Sequence, residues 1–271
     1  MINKQLINLS SPASSGGNQE EGLILHLDAN DVDSYDGDGS EWVDITNHEY
    51  TPATNVSEHF NTVLYSPSSS GITAITGVGF QPDLVWTKNR DSSWYHQLVD
   101  SVRGGSNTIY SNGNNVQGTS VSHIDSLDSD GFTVDYSENI GNNHVAWCFK
   151  AGGAAVSNTD GTITSQVSAN NDLGFSIVKY TGNLNNTTSA TGAPIGHGLG
   201  TTPELIIFKN LSTTADWHVY SKDLANWGTR LYLNENSAAD NVYSSYPIAN
   251  PTGSVFYTNY LTAQNLSLIH I

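Results

Sequence analysis

The chain has 271 residues, of which 26 are acidic and 9 are Lys or Arg, for a formal net charge of -17. A field of that sign repels phosphate backbones and anionic lipid, which sets aside nucleic acid and membrane surfaces as partners. Apolar residues make up 37% and charged ones only 13%, so a core can form, and the Ser, Thr, Asn and Gly that fill the remainder suit turn-rich sheets better than helices.

Residues 1–21, MINKQLINLSSPASSGGNQEE, read as a flexible polar leader with no apolar signal-peptide core. Nowhere is there an apolar run long enough to cross a bilayer as a helix, so membrane insertion is not expected. GLILHLDA follows, with Leu23, Leu25 and Leu27 alternating with Ile24 and His26, the pattern of a strand with one buried face. The next stretch, DANDVDSYDGDGSE, gathers Asp31, Asp33, Asp36 and Asp38 on a Gly-containing loop. Hard carboxylate oxygens of that kind suit Ca²⁺. EF-hand spacing is absent because Tyr35 stands fifth from Asp31, and the other reading is a solvated, turn-forming acidic loop.

From Phe60 onward the chain repeats itself. PDLVWTKN from Pro82 matches PELIIFKN from Pro203, and FNTVLYS from Phe60 parallels FSIVKYT from Phe175. Trp94 is set against Trp217, TIYSN from Thr108 against RLYLN from Arg230, and GFTVDY from Gly131 against SVFYTN from Ser254. Each block is short, β-branched or aromatic, and bounded by turn residues, so each is a predicted strand. In GFTVDY the side chains of Phe132, Val134 and Tyr136 share one face.

About six strands per unit predict an all-β chain of two tandem antiparallel sandwich or jelly-roll-like units from an internal duplication. The boundaries are residues 22–59 for an opening strand and acidic loop, 60–150 for the first unit, and 175–265 for the second, read as cut short. Between the units, residues 151–174 read as a surface connection with one short strand around Thr162 to Val167. The final residues, 266–271, LSLIHI, are expected to be a non-native tail, because they resemble translated read-through of a sequencing adapter.

The run GFQPDLVWTKNR, DSVRG, DSDGFTV, HVAWCFKAGGAAVSNTDGTITSQVSAN, GFSIVKYTGN and GHGLGTTPELIIFKN resembles a repeated module of marine bacteriophage structural proteins. The resemblance implies a virion location, in a tail or fibre, with other virion proteins or a host-surface glycan as partners and a homotrimer as the assembly. Residues 22–46 also resemble the opening of concanavalin A-like, laminin-G-like lectin domains.

No HExxH, GxSxG or nucleotide-loop context occurs, and a non-enzymatic structural or adhesion module is expected. A carbohydrate-binding lectin and a glycan-degrading hydrolase are the competing readings. Trp94, Trp217 and Trp227, set among polar neighbours, are the candidates for stacking sugar rings, whereas Trp86 and Trp147 sit inside apolar strands and are expected in the core. The lone Cys148, within HVAWCFK, excludes an intrachain disulfide and reads as a small buried hydrophobe.

Overall fold

In the computed structural model the described residues are 56–67, 71–118, 124–135, 142–182, 193–240 and 249–258, all within one compact unit, Thr54–Ile271. The leader, the GLILHLDA strand, Asp31, Asp33, Asp36, Asp38 and the tail at 266–271 lie outside them.

The first half holds eight strands: β1 (Phe60–Tyr65), β2 (Ile72–Thr76), β3 (Leu84–Asn89), β4 (Gln97–Asp100), β5 (Ile109–Tyr110), β6 (Ile124–Asp128), β7 (Gly131–Asp135) and β8 (His144–Phe149). A five-stranded sheet runs in the order β1-β8-β3-β4-β5, and a three-stranded sheet runs β2-β7-β6. All of their pairings are antiparallel. Alternation decides which side chains meet between them. Val85, Val99, Ala146 and Cys148 of the larger sheet pack on Ile75, Ile124, Phe132 and Val134 of the smaller. Burial of Cys148 pushes its thiol up to about 12, as a small inert hydrophobe requires.

The second half holds β9 (Val156–Asn158), β10 (Ser165–Asn170), β11 (Phe175–Tyr180), β12 (Ala193–Gly196), β13 (Leu205–Phe208), β14 (His218–Ser221), β15 (Leu231–Tyr232) and β16 (Val255–Thr258). Pairing runs β11-β10-β9, β13-β14-β15 and β12-β16. Val167, Val178, Ile206, Phe208 and Tyr220 meet Ala193, Ile195 and Phe256 in its core.

A third apolar layer joins the halves. The outer face of the first half's large sheet gives Leu84, Leu98 and Ile109, which pack with Phe175, Ile177 and Trp217 of the second. The ring of Phe149 stacks on Phe175 with centroids 5.4 Å apart. For this reason β4 is buried along its whole length, on both faces.

Pairing registers in the two halves correspond. Leu84 opposes Asp100 and Thr87 opposes Gln97 across β3 and β4, while Leu205 opposes Ser221 and Phe208 opposes His218 across β13 and β14. Ile75 faces Phe132 as Ile195 faces Phe256. Asn89 and Asn210 close the same turn, each side-chain oxygen accepting from the backbone N–H groups two and three residues on. Pro82 and Pro203 each stand two residues ahead of their strand, where a missing N–H removes no ladder bond.

Two expectations are corrected. Residues 151–174 are not merely a surface connection, since β10 lies in the core with Ser165, Val167 and Ser168 buried. It begins at Ser165 rather than Thr162. Its polar look misleads because the buried hydroxyls are paired: Ser165 donates to Gly196 O at 2.8 Å and Ser168 to Gly153 O at 2.8 Å.

Candidate binding face around Trp94

The sequence singled out three tryptophans, and the fold separates them. Trp217 is buried, 1% exposed, which overturns its reading as a sugar-stacking residue. Its polar sequence neighbours gave no sign of this, because its burial comes from the layer between the halves. Trp227 is half-buried and packs against the second-half core, so it too is drawn into structure rather than offered as an open ring face. Trp94 alone of the three is exposed, at 45%.

Trp94 does not occupy the place of Trp217. The pairing Gln97–Thr87 matches His218–Phe208, which puts His96 where Trp217 stands. Hydrogen bonds agree: His96 N donates to Asn112 Oδ1 at 2.8 Å and Trp217 N to Asn234 Oδ1 at 2.8 Å.

Trp94 lies on the turn from β3 to β4, after the Asn89 cap, and its neighbour Tyr95 is 51% exposed. The Tyr95 ring rests against Tyr110 with centroids 4.9 Å apart. It also lies over Gly113, where a Cβ would come to 2.8 Å from Asn115 Oδ1 and 3.0 Å from the Tyr95 Cε1, so a larger residue there would crowd both side chains. Asn112, Asn115 and Val116 are exposed on the loop after β5.

That loop is fastened from beneath by the second half. Trp217 Nε1 donates to Tyr110 O at 2.7 Å and to Gly113 O at 3.1 Å. Lys209 Nζ donates to Asn114 O at 3.1 Å and to Ala215 O at 2.8 Å, Ala215 N donates to Asn114 O at 3.0 Å, and Gln117 N donates to Leu211 O at 3.1 Å. Lys209 is fully buried, and burial draws its ammonium down to about 8, with the nearby Asp216 carboxylate acting the other way. Trp217 and Lys209, which sequence reasoning assigned elsewhere or passed over, therefore brace the aromatic face and do not form it.

Burial and the Lys88 charge lower His96, and burial and Tyr95 raise Tyr110. Asp91 Oδ2 accepts from Asn143 N at 2.6 Å and from Asn143 Nδ2 at 3.0 Å. Among the described residues no group of three or more His, Cys, Asp or Glu side chains is placed to hold a metal ion. What the arrangement offers is contact: Trp94 and Tyr95 are exposed on the turn from β3 to β4, and Tyr95 rests on the braced loop after β5.

Fold and face together define an all-β module of stacked antiparallel sheets with a braced aromatic surface at one turn. The chain belongs to the family described as Domain of unknown function (DUF7483), whose match covers residues 55–269. No curated protein and no solved structure matches it.

Proposed function

We propose that the chain is a non-enzymatic adhesion module of a phage particle, borne on a tail or fibre, with the Trp94–Tyr95 face as its contact surface. The observation that carries this reading is the exposure of two consecutive aromatic rings on a loop system held rigid by buried partners. Exposed rings cost solvation, and the Tyr95 ring is pre-organised by its seat on Tyr110, the condition under which contact surfaces gain affinity. The virion setting comes from the sequence resemblance, and the same proposal takes the two halves as copies of one duplicated unit, which their shared registers support.

The experiment is adhesion of the fluorescently labelled chain to a panel of marine bacteria, comparing wild type with Trp94→Ala. The expected outcome is saturable binding to some strains that Trp94→Ala weakens about tenfold or more, as loss of an aromatic anchor does. Equal binding by both proteins refutes the assignment of the face. Release of reducing sugar from any bound polysaccharide refutes the non-enzymatic reading.

A further inference from the structure

We infer that the outer face of β13, β14 and β15 docks a second copy of this chain, head to tail, through the outer face of that copy's β1. The starting point is the layer between the halves. There the outer face of the first half's large sheet is sealed: Leu84, Leu98 and Ile109 are buried and pack with Phe175 and Ile177 of β11.

The pairing registers give each of the three a counterpart in the second half. Leu98 lies opposite Trp86 and Ile109 as Val219 lies opposite Ile207 and Leu231, and Leu205 holds the place of Leu84. Residues opposed across a ladder share a face. Leu205, Val219 and Leu231 therefore form one apolar surface, continuous with Ile207, which packs in the layer between the halves. That surface is open, with Leu205 at 47% and Leu231 at 38% exposure and Val219 half-buried. Positions sealed in one half stand in water in the other, which marks a contact surface.

The sealing side is also present a second time. Aligning FNTVLY with FSIVKY sets Phe60 against Phe175 and Thr62 against Ile177. The inward residues agree, since Val63 and Tyr65 pack against the first core where Val178 and Tyr180 form the second. On the outer face of β1, Thr62 is exposed and Leu64 is 65% exposed. One chain thus carries both sides of its own internal layer again, uncovered and on different halves. A copy docked in the same manner sets its first half on the second half of the preceding copy. Such a contact is heterologous, and each copy keeps one surface for the next. Copies of net charge -17 repel one another, so salt strengthens the contact by screening.

The test is sedimentation velocity of the full chain across a concentration series at low and high salt, with Leu205→Lys and Leu64→Lys. The expected result is a mass that rises with concentration, more steeply at high salt. Each variant alone should weaken association about tenfold or more. An equimolar mixture of the two should recover dimers, because each variant keeps the surface that the other lacks. Thermal midpoints should stay at the wild-type value, since both side chains are exposed. A monomer at every concentration and salt overturns the inference. So does association that Leu205→Lys leaves intact, association that Leu64→Lys leaves intact, or a mixture that stays monomeric.

Discussion

Lys209 is the buried cation that ties the second half to the loop after β5 on which Tyr95 rests, and its replacement gives a sharp pH signature. Its ammonium has lost water and gained two carbonyl oxygens, Asn114 O and Ala215 O, which leaves it at about 8 against an ordinary 10.5. A difference of that size corresponds to about 3 kcal/mol. The sign follows from proton counting: between pH 8 and 10.5 the unfolded chain holds a proton that the folded chain has released. Stability from this group therefore rises with pH through that window and is flat below it. In Lys209→Met the contribution vanishes. Urea unfolding at pH 7 and at pH 10 reads it directly, as the difference in the pH response of the two proteins. That subtraction removes the opposing effect of Tyr180 and Tyr110, whose hydroxyls burial pushes upward. Wild type should gain about 2 kcal/mol or more over Lys209→Met on going to pH 10. Parallel responses refute the account of Lys209 as a desolvated cation.

His218 works in the acid range. Burial and then the Arg230 charge lower it to about 4, so as pH falls from about 6.5 toward 4 the unfolded chain takes up a proton first and stability drops by about 3 kcal/mol; His218→Asn should flatten that part of an acid unfolding curve, and an unchanged curve counts against it. Trp217→Phe keeps most of the ring and removes the N–H shared by Tyr110 O and Gly113 O, at a cost of about 1–3 kcal/mol. Because those carbonyls set the loop under Tyr95, hydrogen exchange at residues 110–117 should also accelerate, and exchange identical to wild type would remove Trp217 from its bracing role.

Much of the sheet structure was legible where alternation was strict. Phe132 and Val134 face the core and Thr133 lies opposite them, as the GFTVDY pattern demands, and the PDLVWTKN and PELIIFKN blocks lie in matching registers. The layer between the halves was not legible, because a sheet's second buried face looks like any other apolar stretch until its partner is known. Trp217 follows from that, and so does β10, whose small hydroxyl residues look like a loop until their bonds are counted. The offset between Trp94 and Trp217 was misread because a matching side chain drew the alignment away from the backbone; His96, not Trp94, shares the Asn112-type bond. Polar sequence neighbours accompany an exposed ring at Trp94 but not at Trp217 or Trp227, because burial depends on contacts distant in sequence.

The most direct test of the central claim follows the tryptophan indole N–H resonances as a binding oligosaccharide or cell-surface polysaccharide is added. Trp94 is identified by the signal missing from Trp94→Ala, and Trp217 by the one missing from Trp217→Phe. The account predicts that the Trp94 signal shifts with saturation while that of Trp217, whose N–H is committed to Tyr110 O and Gly113 O, moves far less. A response centred on Trp217 or Trp227, with Trp94 unmoved, would contradict it.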